Sequence, residues 1–171
     1  MEQERFSPIA PEALENAVKL IGSDWMLLTV KDAKQGRVNA MTASWGCLGV
    51  LWNKPVCVCF VRPQRHTFGL LEENERFSVA FLPESHRDAL KLCGRRSGRD
   101  CDKPAEAGLT VMEMDGVPVI AEARLVLVCR KLYADDLKKE GFLDESLLSN
   151  YSAEDYHRMY VCAIESAYLA N

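Results

Sequence analysis

The chain has 171 residues, of which 48% are hydrophobic and 27% charged, an ordinary globular balance with enough length to bury a core. Its formal net charge of −4 argues against a general nucleic-acid binder, which needs a basic surface to neutralise phosphates. No apolar run is long enough to cross a bilayer as a helix, and Met1–Arg5, charged with both signs, leads into no signal-peptide core. A single domain over residues 1–171, located in the cytoplasm, is the expectation.

The first predicted element is a helix. Pro11 suits its first position, Leu14, Ala17, Val18 and Ile21 mark one face, and Gly22 ends it. Strand patterns follow. Trp25 to Val30 is a short apolar run, and a polar turn from Lys31 to Gly36 leads into Arg37 to Leu51. Val56 to Val61 is apolar at every position and is expected to bury both faces. Thr67 is placed to cap a short helix through Leu70, Leu71 and Asn74. Phe77 to Leu82 reads as a strand, and Ser85 with Asp88 resembles a capping box opening a helix to Cys93, closed by Gly94. Ala123 to Tyr133 and Met159 to Leu169 are the last two strands. The polar stretch between them, Ala134 to Glu154, reads as loops and short helical turns. About six strands with a few short helices describe a mainly β barrel with helical insertions.

The seven cysteines are odd in number and sit mostly inside apolar runs, where a thiol behaves as a small hydrophobe. With no CxxC pair and no matching histidine spacing, reduced and mostly buried thiols are expected, without a zinc site. Neither GxGxxG after a strand nor GxxxxGK[ST] occurs, and His66, His86 and His157 lack a neighbouring nucleophile in any familiar motif.

Two basic stretches stand out in this acidic chain. Arg62-Pro-Gln-Arg-His-Thr67 carries two arginines and no acid at a helix start. Lys91 to Arg99 holds Lys91, Arg95, Arg96 and Arg99, again with no acid, and ends in Ser97-Gly98-Arg99. Cations, hydroxyls and free helical N–H groups suit a phosphate monoester. Arg95 and Arg96 also follow a helix end, where cations simply complement the macrodipole. A third stretch, Asn39-Ala-Met-Thr-Ala-Ser-Trp-Gly46, is built of small and hydroxylated residues. It suits either a planar ligand lying close to backbone or a strand in a crowded barrel interior.

Taken in order, Asn39–Gly46, Asn53-Lys-Pro, Arg62–Thr67, Cys93-Gly-Arg-Arg-Ser-Gly-Arg-Asp100, Asp102-Lys103 and Ala107-Gly108-Leu109 resemble the flavin reductase-like family, which includes the flavoredoxins. The resemblance runs from about Trp25 to the final strand. It implies an FMN-binding split β-barrel, Greek-key-like and homodimeric, with FMN held non-covalently near the subunit interface. It also implies cofactor-binding positions at Asn39, Met41, Thr42, Ala43, Ser44 and Trp45, with Thr42 to Trp45 bordering the isoalloxazine ring. Arg62, Arg65, His66 and Thr67 would meet the phosphate or ribityl region, with Arg62 or Arg65 as the positive group near N1 and O2. Ser97, Gly98 and Arg99 would close on the phosphate side, with Lys103 beside them. Cys47 stands where glycine or another small residue is expected. His157 and Tyr160 are expected to pack rather than react.

The chemistry would be the flavin's own, with no catalytic side chain and no metal. Two readings follow: an NAD(P)H-dependent flavin reductase-like oxidoreductase, or an electron carrier that exchanges electrons with a redox protein partner and has no nicotinamide site.

Overall fold

The computed structural model describes residues 5–171; Met1 to Glu4, most of the charged N-terminal stretch, lies outside them. Ten strands form: β1 (Phe6–Ile9), β2 (Met26–Asp32), β3 (Arg37–Ala43), β4 (Gly46–Leu51), β5 (Lys54–Val61), β6 (Arg76–Phe81), β7 (Val111–Met114), β8 (Val117–Ile120), β9 (Leu125–Asp136) and β10 (Arg158–Ala170). Eight make one antiparallel sheet in the order β3-β2-β6-β9-β10-β5-β4, with β1 added to the far half of β10. The sheet curls until β3 packs against β5. Strands β7 and β8 form a separate hairpin, turned by Asp115 and Gly116, both at positive φ. Among the described residues four α-helical segments accompany them, with shorter 3₁₀ and π turns between: α1 (Ala17–Lys19), α2 (His66–Glu73), α3 (Arg87–Arg95) and α4 (Lys103–Glu106).

Period-two alternation sorts the apolar side chains into two cores. Met26, Leu28, Val30, Phe77, Val79, Phe81, Leu125, Leu127 and Cys129 point into the barrel with Cys57, Cys59, Tyr160 and Cys162. Leu27, Ala80, Val126 and Val128 point the other way, beneath α3 and the β7–β8 hairpin. Each fully buried phenylalanine or leucine contributes about 1.5–3 kcal/mol relative to an exposed one. Burial on both faces thus belongs to β2, β6 and β9. β5 alternates instead: Val58 and Phe60 are half-buried, because no layer covers their side of the sheet.

Several local expectations change. The predicted N-terminal helix is broken into a 3₁₀ turn at Pro11–Ala13, the single turn α1 and a π-turn at Leu20–Asp24, with Asn16 Oδ1 accepting from the Val18 and Lys19 amides. Val18 is exposed, and Leu20 enters the core beside Ile21. The Arg37–Leu51 segment is two strands with a corner at Ser44–Trp45. Ser85 caps nothing; its hydroxyl bonds His86 Nδ1, and α3 runs past Gly94 to Arg95. Strand β1, the β7–β8 hairpin and α4 are additional to the six-strand reading. Asp102 caps α4 by accepting from the Ala105 amide at 3.2 Å. No helix among the described residues is long and apolar enough to cross a membrane.

Candidate functional site

The corner between β3 and β4 is made possible by Gly46. A Cβ there would lie 2.6 Å from the Val58 carbonyl oxygen and 2.7 Å from Met26 Cε, so only glycine lets β4 start this close to β5. The corner opens a cavity of about 260 Å³. Met41, Thr42, Ala43, Ser44 and Trp45 form one side, and Phe60, Arg62, Arg65, Gly94 and His157 the other. Helix α3 is fixed to β3 by the Thr42 hydroxyl, which donates to the Leu90 carbonyl at 2.6 Å. That contact brings Gly94 to the wall. Trp45 is 48% exposed and its ring sits 5.2 Å from that of His157.

A second cavity of about 210 Å³ adjoins the first through Arg65. The start of α2 contributes Gln64, Arg65, His66 and Thr67; the end of α3 and its following loop contribute Arg95, Arg96, Ser97, Gly98 and Arg99; Lys103 comes from α4. The loop is shaped locally. Ser97 Oγ accepts from the Arg99 amide at 3.2 Å, and Arg99 Nη1 donates to the Gln64 carbonyl at 3.1 Å, joining loop to α2. Gly98 lies against Asn39 so closely that a Cβ would be 2.0 Å from Asn39 Oδ1.

The cations of the two cavities differ in what they are tied to. Arg62 is neutralised: it donates to Asp155 at 2.6 Å and to the Asn150 carbonyl at 3.0 Å, and lies over the Tyr151 ring. It anchors the excursion between β9 and β10. Arg65, Arg95, Arg99 and Lys103 have no carboxylate partner among the described residues, and Arg96 meets Glu106 only at 3.7 Å. Arg65 donates to the Gly94 carbonyl at 2.8 Å, and its pKa is lowered by burial and by the nearby charge of Arg62. Lys103 is 2% exposed and donates to the Cys93 carbonyl at 3.1 Å; burial brings its pKa down to about 8. Taking a lone ammonium out of water is costly, so a buried, unpaired lysine favours an arriving anion.

The sequence-derived positions are therefore divided. Met41 to Trp45 meet Arg62 and Arg65 at the first cavity, while His66, Thr67, Ser97, Gly98, Arg99 and Lys103 meet Arg65 at the second. Asn39 lines neither. It is buried beneath the Gly98 loop, with Nδ2 donating to Thr67 Oγ1 at 2.8 Å and Oδ1 without a partner. Thr67 is spent on that bond and caps nothing; the helix is preceded by Arg65, which makes no side-chain cap. His66 is held by a buried acid, Nε2 lying 2.8 Å from Asp32 Oδ2. Phe60, Gly94 and His157 were not legible as site residues, although the half-buried alternation of β5 places Phe60 on the face opposite Cys57 and Cys59. His157 bonds the Tyr151 hydroxyl through Nδ1 at 2.9 Å, and burial, aided by Arg62, brings its pKa down to about 4. It stands as a neutral ring in the first cavity wall. Tyr160 packs fully buried in the barrel, its hydroxyl donating to Glu72.

The arrangement can hold a flat polar ring in one cavity and a phosphate-sized anion in the next. Small residues at Ala43, Ser44 and Gly94 leave room beside backbone, and the unpaired cations supply the anion site.

Known proteins share this fold. Flavoredoxin from Methanosarcina acetivorans superposes with a TM-score of 0.66 at 25% identity, covering 85% of this chain and 68% of its own. The FMN-binding domain of a flavin reductases-like enzyme from Shewanella baltica OS155 gives 0.69 at 17% identity, over 97% and 78%. A Shewanella frigidimarina protein with a split barrel domain gives 0.68 at 19%, over 93% and 76%. No curated protein matches the sequence. The barrel is thus a split barrel, mainly antiparallel β with a few short helices. The flavin reductase like domain model matches residues 18–171, the entire stretch that builds the barrel from α1 onward and both cavities, and the chain belongs to the flavin reductase-like family.

Proposed function

We propose that this chain binds FMN non-covalently and acts as a flavin-dependent oxidoreductase, with residues 1–171 forming one flavin-binding domain. The observation that carries the reading is the junction at Arg65: a cavity bordered by small residues opens into one holding four cations without carboxylate partners among the described residues. That pair of chemistries matches a tricyclic ring joined to a phosphate monoester. Bound FMN supplies the ability to accept and pass on a hydride or single electrons.

The chain's own residues do the positioning. Thr42, Ala43, Ser44 and Trp45 border the ring, and Arg65, which has no counter-ion among the described residues, favours negative charge at the ring edge better than the neutralised Arg62. His66, Thr67, Ser97, Gly98, Arg99 and Lys103 surround the phosphate, and Asn39 supports them from below. Neutral His157 and Phe60 exclude water from part of the ring cavity without adding charge. NADH or NADPH is the electron donor in this reading. The enzyme is preferred to a carrier fed by a redox protein because the chain belongs to the flavin reductase-like family.

A homodimer completes the proposal. Edge strand β4 and its turn expose Val50, Leu51 and Trp52, and an apolar groove of about 470 Å³ runs from Val18 to Trp45 and Cys47, continuous with the ring cavity through Trp45. An apolar edge of this kind needs covering. The seven thiols are all unpaired, six of them buried, which suits the reducing cytoplasm.

The test is the visible spectrum of the purified protein before and after FMN, then anaerobic mixing with NADH and NADPH. Stoichiometric FMN binding with rapid bleaching by a nicotinamide is expected. A spectrum and fluorescence indifferent to added FMN would overturn the flavin reading. FMN binding without bleaching would replace the reductase by the carrier.

A further inference from the structure

Two of the cations that line the second cavity have no task in holding FMN. Arg95 ends α3 and Arg96 follows it. Both line the cavity from an exposed position at its rim, whereas Arg65 is half-buried and Lys103 buried. The Arg95 guanidinium has no hydrogen-bond or ion-pair partner among the described residues. Arg96 Nη1 meets Glu106 Oε2 only at 3.7 Å, and its side chain is 54% exposed. A helix C-terminus presents about half a unit of negative charge, so the macrodipole of α3 accounts for only part of one arginine.

The charge balance leaves this pair over. Arg65, Arg95, Arg96, Arg99 and Lys103 line the cavity, and no carboxylate lines it. Glu106 offsets Arg96 weakly, and Asp32, behind His66, is faced by His66 and Arg37. A phosphate monoester brings about 1.5 to 2 negative charges, so roughly two positive charges remain once FMN is bound. Extending the flavin to FAD does not remove the surplus. Each phosphate of its diphosphate carries a single charge, and the total equals that of the FMN monoester. A second anionic molecule does remove it. The nicotinamide donor is such a molecule, and it must reach the ring cavity, which adjoins this one at Arg65. It carries a diphosphate and, in NADPH, a further 2′-phosphate monoester. The planar guanidinium fork matches phosphate oxygens two at a time.

Resting on the FMN reading, we propose that Arg95 and Arg96 form a second phosphate subsite, at the rim of the flavin-phosphate cavity, that binds a phosphate of the nicotinamide donor. The pair decides which donor is held and takes no part in the hydride transfer. A 2′-phosphate dianion cancels the residual charge with a single group, so NADPH is preferred to NADH. The diphosphate common to both donors is the other source of the same chemistry.

The test saturates the full chain with FMN and then titrates in adenosine 2′,5′-bisphosphate or ADP by calorimetry. Neither nucleotide carries a hydride, so binding is read without turnover. Saturable binding of the bisphosphate without release of FMN is expected. The double variant Arg95→Gln/Arg96→Gln, at two exposed positions where the fold tolerates change, should weaken it about tenfold while FMN affinity changes less than about twofold. Added salt should narrow the gap between wild type and variant, because exposed charges are screened. In steady-state assays the variant should raise KM for NADPH by a similar factor and leave kcat almost unchanged. An effect confined to the bisphosphate and NADPH assigns the subsite to the 2′-phosphate; equal effects on ADP and NADH assign it to the diphosphate. Nucleotide binding and KM values equal in wild type and variant would overturn the proposal and leave FMN binding standing. A wild-type chain that fails to bind FMN at the first step would instead remove the flavin reading beneath it.

Discussion

Replacing Gly98 by alanine tests how the anion cavity is supported. The added Cβ would lie 2.0 Å from Asn39 Oδ1 and 2.9 Å from both Asn39 Cγ and His66 Cδ2, distances that real side chains do not tolerate. Something has to move. Asn39 is buried, and its amide donates to buried Thr67 at 2.8 Å, so turning it away breaks a bond inside the protein. Overpacking of this kind costs about 1–3 kcal/mol, and the lost hydrogen bond adds about 1 kcal/mol. The alternative is for the loop to lift, taking Ser97 and Arg99 out of place and lengthening the Arg37 bond to the Gly98 carbonyl. The first route destabilises the fold by about 2–4 kcal/mol, which for a chain of this length lowers Tm by about 4–15 °C. The second spends the same strain on binding, and FMN affinity falls while riboflavin affinity holds. Thermal melts with and without FMN, together with fluorescence titrations of both flavins, separate the routes. A Gly98→Ala protein that melts within about 1 °C of wild type and binds FMN equally well would refute the close packing of loop on Asn39.

Arg65→Ala removes the cation shared by both cavities and should cost FMN about 1.5–3 kcal/mol, roughly 10–100-fold in Kd, with a smaller loss for riboflavin; fluorescence quenching measures both. Arg62→Ala, in contrast, should release the segment between β9 and β10 to proteolysis while weakening FMN much less, because its charge is already spent on Asp155. His157 has a folded pKa of about 4 against an ordinary 6.5, so the unfolded chain binds the extra proton between those values. Its share of stability is complete above pH 6.5 and is lost as pH falls towards 4, on the order of 2–3 kcal/mol. Denaturant unfolding should show a shallower acid loss in His157→Asn. Lys103 is also a base with a lowered pKa, about 8 against 10.5, so the ligand-free protein gains stability as pH rises through that window. Lys103→Met should flatten this rise in urea unfolding measured between the two values.

Much of the fold could be read along the chain. The apolar runs at Trp25–Val30, Val56–Val61, Phe77–Leu82, Ala123–Tyr133 and Met159–Leu169 all become strands, because period and β-branched content are local properties. Which strands bury both faces was not local. Val56–Val61 is more uniformly apolar than its neighbours, yet it lies beside edge strand β4 with one face uncovered, while β2, β6 and β9 have α3 and the β7–β8 hairpin over them. The helix expected over Pro11–Gly22 failed because Asn16 offers its side chain to the following amides and starts a new turn in mid-pattern.

The site shows the same boundary. Sequence by itself determined the residue types: two basic stretches without acids, a run of small and hydroxylated residues, and a family resemblance carried by their order. Tertiary structure decided which charges are available. Arg62 and Arg65 look alike in Arg62-Pro-Gln-Arg65, but Asp155, 93 residues further on, neutralises the first and leaves the second. It likewise set Asn39 under the loop rather than in a cavity, and put His157 into a wall that the chain reaches only after its long excursion. Coulomb energy and desolvation depend on distance through space, and no spacing along the chain encodes them until the barrel has closed.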